Sequence, residues 1–243
     1  MPKRMRQQRR GKGTAVFRAP SFKFKYQARY KMFDDAERNN VIEGVVENIV
    51  NDTARSAPIM LIRYKTGDYA TLPAAYGIKV GDAVAAGVKA IPKLGNVLPL
   101  KSIPTGTNIY NLEIAPGDGG KIVKAAGTFA KIVSNERGSV VVRLPSKEFK
   151  TFNPDCRATI GTTAGFGRTE KPIVKAGKHW HMMRARGRYW PMTACVVMNR
   201  VTHPFGGKRR STQKKLKTIS RRMPRGARYG SIAARRTGRG GKR

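Results

Sequence analysis

The stretch Val41-Ile42-Glu43-Gly44-Val45-Val46-Glu47-Asn48-Ile49-Val50, with Ile59-Met60-Leu61-Ile62-Arg63-Tyr64 and Tyr69-Ala70-Thr71-Leu72 after it, decides the fold class. Short β-branched runs set between turn signals read as strands. Lys65-Thr66-Gly67-Asp68 supplies a hairpin turn between the second and third runs. A fourth run, residues 83–88, completes a set large enough for one small barrel. Working outward, a second set covers residues 108–114, 128–134, 139–144, 149–152 and 158–160, punctuated by Asn135-Glu136-Arg137-Gly138 and Pro145-Ser146. Neither set has the strand and long-helix rhythm of a parallel α/β enzyme. An all-β chain with two small barrels in tandem is predicted. The joint falls near residues 100–106, in a segment marked by Pro92, Gly95, Pro99, Pro104 and Gly106.

Charge divides the 243-residue chain more sharply than hydropathy does. The whole carries 50 Lys and Arg against 14 Asp and Glu, a net charge of +36. Residues 1–36 hold eleven cations and two acids, residues 37–115 eight and seven, residues 116–195 fifteen and five, and residues 196–243 sixteen and none. A compact protein so charged repels itself unless a polyanion neutralises it. Nucleic acid, an anionic membrane and acidic proteins are the candidates. No run approaches the roughly 20 apolar residues of a spanning helix, and the basic N-terminus has no apolar segment behind it, so it is not a secretory signal. Cys156 and Cys195 are too few for a disulfide framework and form no Cys-x-x-Cys pair. Both are predicted to be buried free thiols in a reducing cytoplasm.

The two ends lack the periodicity that builds a core, so they are predicted to order only against a polyanion. The resulting division is a basic N-terminal extension (1–36), a first barrel (37–103), a second barrel with a basic-aromatic extension (104–195) and a basic C-terminal tail (196–243).

Lys178-His179-Trp180-His181-Met182-Met183-Arg184-Ala185-Arg186-Gly187-Arg188-Tyr189-Trp190 interleaves cations with flat rings. Cations on phosphates release condensed counterions, and rings stack on exposed bases. Trp180 and Trp190 could equally close a barrel. Other RNA-facing candidates are Arg4, Arg6, Arg9, Arg10, Lys12, Arg18, Lys23 and Lys25 near the start, and Arg55, Arg157, Arg168 and Lys175 in the middle. The tail adds Asn199, His203, Phe205, Gly206, Gly207, Lys208, Arg209, Arg210, Arg221, Arg222, Arg235, Arg236 and Arg239. His179 and His181 with a cysteine make a weak zinc pattern. Pro116-Gly117-Asp118-Gly119-Gly120-Lys121 lacks the spacing of a phosphate loop and reads as a turn between barrels. Three histidines and few acids outside the first barrel leave an RNA-modifying enzyme as a distant rival. A free nucleic-acid chaperone is the nearer one.

Several blocks together resemble one family, the universal second protein of the large ribosomal subunit in its archaeal and eukaryotic form. They are Gln8-Arg9-Arg10-Gly11-Lys12-Gly13-Thr14, Phe17-Arg18-Ala19-Pro20, Asp52-Thr53-Ala54-Arg55-Ser56-Ala57-Pro58 and Gly95-Asn96-Val97-Leu98-Pro99-Leu100. Cys156-Arg157-Ala158-Thr159-Ile160-Gly161, His203-Pro204-Phe205-Gly206-Gly207 and Ile232-Ala233-Ala234-Arg235-Arg236-Thr237-Gly238-Arg239 continue the series. The resemblance implies an OB-fold barrel followed by an SH3-like barrel, with extended basic N- and C-terminal tails threaded into large-subunit rRNA. It also implies neighbouring ribosomal proteins, a contact with the small subunit, and a tail histidine, here His203, near the peptidyl-transferase centre. Thr202 stands where the family usually has an acid, so His203 is read as positioning RNA. No cofactor is implied beyond Mg2+ or K+ ions bridging to phosphates, and no membrane partner.

Overall fold

A computed structural model describes residues 6–136, 138–202 and 206–207. It divides the chain into two compact units, residues 18–188 and the two chain ends taken together, 1–17 with 189–243.

In the larger unit, β1 (Val41–Val50) pairs antiparallel with β2 (Ile59–Tyr64) and β4 (Ala83–Gly87), and β3 (Tyr69–Pro73) pairs with β2. Alternation along β1 turns Ile42 and Val46 inward and leaves Val41, Glu43 and Val45 outside, as a period of two requires. The hairpin turns at Gly67, whose φ of 87° suits a residue without Cβ. The inward side chains meet Met60, Ile62, Tyr64, Leu72 and Val84 in one core.

The second set is β6 (Asn108–Tyr110), β7 (Ala130–Glu136), β8 (Ser139–Arg143), β9 (Phe149–Phe152) and β10 (Arg157–Ile160). Its separate core holds Leu100, Ile103, Ile109, Leu112, Ile132, Val140, Val142, Phe152 and Cys156. The strand that sequence reasoning misses is β5 (Val97–Pro99). It pairs parallel with β4 at Ala86 and antiparallel with β10, and so joins the two sets. Val97 enters the first core and Leu98 the second. The strand order is β3-β2-β1-β4-β5-β10-β6-β7-β8-β9. Among the described residues strand exceeds helix and the helices are few and short, as expected.

The expectation that residues 1–36 order only against a polyanion fails for their second half. Residues 23–33 lie along the first barrel: Thr53 donates to the Lys23 carbonyl at 2.7 Å, Arg55 to the Tyr26 carbonyl at 3.0 Å, and Arg29 bridges to Thr71. Tyr30 is in the first core. Its hydroxyl donates to the Asn111 carbonyl at 2.7 Å and lies 2.7 Å from the Thr159 hydroxyl. One aromatic ring and a run of backbone bonds anchor this segment on the folded body. The short helix α2 (Asp35–Asn39) follows it.

Arg157, expected to face RNA, is corrected. It is 1 % exposed. Its guanidinium bonds Glu37 at 2.9 Å, Glu113 at 2.9 Å and the Lys31 carbonyl at 3.0 Å, and lies over the rings of Tyr30 and Phe33. Burial opposes its charge, but the bonds to Glu113 and Glu37 outweigh that and raise its pKa above the ordinary value. Burial pushes the Glu37 carboxyl upward, with Arg157 offsetting part of the shift. An arginine with its donors already occupied in the interior is a structural tie, not a phosphate contact.

The cysteines also split. Cys156 is buried, and burial pushes its thiol up to about 11, whereas Cys195 is exposed, against expectation. Thiolate is the reactive form. A thiol reagent at pH 8 is therefore expected to label one cysteine, Cys195, in the folded chain and two after unfolding. Labelling of both at similar rates in the folded chain would contradict the burial of Cys156.

Candidate nucleic-acid interface

From the close of β10 the chain leaves the second core and runs through Gly161-Thr162-Thr163-Ala164-Gly165-Phe166-Gly167-Arg168 to helix α3 (Ala176–Ala185). Sequence reasoning did not foresee this helix, because Gly177 and the clustered rings obscure any apolar stripe. No residue of α3 is buried. Its cations and the rings of Trp180 and His181 therefore face solvent.

Lys175 precedes its first turn, and Lys178, Arg184, Arg186 and Arg188 are all exposed. Trp180 is 37 % exposed and belongs to neither core, so the barrel-closing alternative does not hold for it. Arg184, one turn on, places its guanidinium 5.1 Å from the Trp180 ring, and His181 meets that ring edge-on at 4.8 Å. Such stacking fixes a flat cation beside a flat ring on one exposed surface. A phosphate and an unstacked base can be met together there. His179 is half-buried.

Arg18, Lys23, Lys25 and Arg168 are likewise exposed in this unit. Arg55 is more committed: it pairs with the buried Asp52 at 2.8 Å. Beside it the structure adds a group that sequence reasoning missed. Lys124 donates to the carbonyls of Ala28 at 2.5 Å and Gly120 at 2.6 Å. Burial, with the Arg55 and Arg29 charges nearby, pulls its ammonium down to about 8. Nothing in the local sequence marks Lys124, because Ala28 lies 96 residues away.

The sign of the pH effect follows. The folded pKa lies below the ordinary lysine value of 10.5, so charged Lys124 weakens folding fully below about pH 8, and that penalty disappears as pH rises toward 10.5. Urea unfolding of the full chain and of Lys124→Met at several pH values is expected to show wild type gaining stability relative to the variant between pH 7 and 10. A constant difference would rule the shift out.

The loop 116–121, expected as a turn between barrels, lies inside the second set, between β6 and β7. Glu113 accepts from the Gly119 N–H at 2.9 Å and from the Gly117 N–H at 3.3 Å, and the Gly119 carbonyl accepts from Tyr30 N–H at 3.1 Å. It holds the N-terminal segment. No phosphate is needed to explain its glycines.

In the smaller unit, α1 (Arg6–Gly11) carries Arg6, Arg9 and Arg10, with Lys12 just after it. Arg9, Arg10 and Lys12 are exposed, and Arg6 lies 4.6 Å over the Tyr189 ring. Trp190 is half-buried. Gly206 packs against the backbone of Met198 and Asn199 so closely that a Cβ there would lie 2.1 Å from the Met198 carbonyl oxygen, and Gly207 N–H donates to that oxygen at 3.1 Å. Asn199, Gly206 and Gly207 are thus brought together. Arg4, His203, Phe205, Lys208, Arg209, Arg210, Arg221, Arg222, Arg235, Arg236 and Arg239 lie outside the described residues. Among the described residues no three of His, Cys, Asp and Glu converge on a metal position, and no helix is long and apolar enough to cross a membrane.

Two family models cover this chain nearly end to end. Residues 2–86 match the model described as Ribosomal Proteins L2, RNA binding N-terminal domain, and residues 93–226 match Ribosomal Proteins L2, C-terminal domain. The chain belongs to the ribosomal protein L2 family. Among its relatives, Large ribosomal subunit protein uL2 of Haloarcula marismortui is 47 % identical over 241 residues, covering 99 % of both chains. The proteins of the same name from Methanococcus aeolicus and Methanopyrus kandleri are 45 % and 44 % identical, covering 98 % and 100 % of this chain and 100 % of each relative. The change from one L2 model to the other, between residues 86 and 93, falls just ahead of β5, the strand shared by the two cores. An OB-type first barrel and an SH3-like second barrel are consistent with this L2 pairing.

Proposed function

We propose that this L2-family chain is a structural constituent of the large ribosomal subunit, binding and bracing its rRNA in the cytoplasm, and that it is not itself a catalyst. The observation that carries this is α3 with its flanks, an array of exposed cations set among aromatic rings, in a chain of net charge +36. The segment assignments follow: an N-terminal extension whose residues 23–36 dock on the first barrel, two barrels meeting near residue 100, and a C-terminal tail from 196. Within residues 2–86, matched to an RNA-binding domain, the cations concentrate in the basic N-terminal extension while the first barrel is nearly neutral and presents loops, and the second barrel and both ends supply most of the grip on RNA.

The family resemblance supports a finer reading. In it the tail brings His203 near the peptidyl-transferase centre as an RNA-positioning residue, the chain meets neighbouring ribosomal proteins and contributes to subunit association, and Mg2+ or K+ ions bridge it to phosphates.

Sedimentation of a tagged full-length copy through a sucrose gradient in high salt tests the reading. Retention with large subunits is the expected result. Release into the light fractions, with free RNA or alone, favours a nucleic-acid chaperone instead.

A further inference from the structure

The smaller unit encloses a cavity of about 630 Å³. That volume lies within the roughly 300–1,000 Å³ of sites for small ligands. Its walls include Val16, Phe17, Tyr189 and Met192, and Arg6, Arg9 and Arg10 stand around it. Val16 is 59 % and Met192 65 % exposed, so the apolar walls are open to solvent. Phe17 and Tyr189 have ring centroids 6.2 Å apart and tilted by 37°, a splayed pair in which Tyr189 is 40 % exposed. Arg6 lies 4.6 Å over Tyr189 and Arg10 6.0 Å over Phe17, which holds the cations beside the rings. The described residues of this unit contain no acid at all.

We propose that this cavity receives a single unstacked nucleobase of the bound RNA, with its flanking phosphates on the arginines. The inference rests on the rRNA-binding function proposed above and names what one site in it takes. Open apolar walls in water are unfavourable until something covers them, and uncompensated arginines call for an anion. An aliphatic or basic protein segment answers the first need and aggravates the second. An acidic peptide answers the second, but its anions and any aromatic ring sit on separate side chains that must be ordered independently. A nucleotide supplies a π face and a phosphate on either side of it, and aromatic stacking tolerates any base.

The test uses large subunits assembled with the full-length chain carrying Met192→p-benzoylphenylalanine or, as a control on the first barrel, Val80→p-benzoylphenylalanine, whose native residue is 58 % exposed. A parallel chain carries Phe17→Leu and Tyr189→Leu, which keep apolar volume and remove the rings. Position 192 is expected to crosslink to one nucleotide or a run of two or three, and position 80 to give a different pattern. That base is expected to resist chemical modification in normal subunits and to become reactive in the double variant while the chain still sediments with large subunits. Binding to the matching RNA fragment should weaken by roughly 5- to 150-fold in the double variant, the equivalent of one lost stack. Crosslinks from 192 to protein, or spread over many nucleotides with no change in base reactivity, overturn the cavity assignment and leave the ribosomal function intact. Failure of the unmodified chain to sediment with large subunits overturns that function and the inference with it.

Discussion

Replacing Arg157 with Met lowers the stability of the folded chain by about 3–5 kcal/mol at neutral pH, the range for removing one partner of a buried ion pair. The loss is large because two carboxylates, those of Glu37 and Glu113, are left in the interior with 2 % exposure or less. It is not a lost surface contact. The same substitution releases the Lys31 carbonyl and the ring faces of Tyr30 and Phe33, so the N-terminal segment is expected to loosen first. Domains of ordinary size have only about 5–15 kcal/mol in total. The deficit also has a sign in pH. Without the guanidinium nothing offsets the burial that pushes the Glu37 carboxyl up, and a group whose folded pKa is raised opposes folding above that pKa and ceases to do so as pH falls through it. Urea unfolding is therefore expected to show the difference between variant and wild type shrinking from pH 7 to pH 5. A loss below about 1 kcal/mol, or one that grows on acidification, contradicts the network as described.

The second large effect separates binding from folding. Arg184, Arg186 and Arg188 are exposed, and no residue of α3 is buried. Their joint replacement by Gln is expected to leave the unfolding midpoint where it is. Each phosphate contact contributes roughly 0.7–0.9 to the slope of log affinity against log salt. Three lost contacts should lower that slope by about 2–3 and weaken binding to large-subunit rRNA by about a hundredfold or more near 0.1 M salt. Salt titrations of binding to a large-subunit RNA fragment read both quantities. An unchanged slope would mean that these arginines do not meet phosphate.

What the sequence revealed and what it hid follow from range. β1, β2 and β3 were legible because each is a β-branched run bounded by turn residues, and the pairing of β2 with β3 is set by four intervening residues. β5 was not, because three residues ending in Pro99 carry no pattern of their own. It becomes a strand only between β4 and β10. Arg157 was misassigned for a similar reason. Within Cys156-Arg157-Ala158-Thr159-Ile160 it looks like any other cation, and its partners Glu37 and Glu113 stand 120 and 44 residues away. The run of buried neighbours after it was the local hint. Tyr30 shows the converse: a basic, poorly periodic segment has the local signature of one that needs a polyanion, yet a single buried ring with two hydroxyl contacts anchors it. The cation-ring character of residues 178–190 was legible from composition. The helix that displays part of it was not, since α3 has no apolar face to betray a period of 3.6.

Ultraviolet crosslinking of intact large subunits, followed by identification of the peptides of this chain that carry nucleotides, tests most directly which surface meets RNA. Peptides from residues 175–190 are expected to dominate, with few from the near-neutral first barrel at residues 41–73. Nucleotides concentrated on residues 41–73, with 175–190 unmodified, would contradict the assignment of the grip to the solvent-facing array around α3.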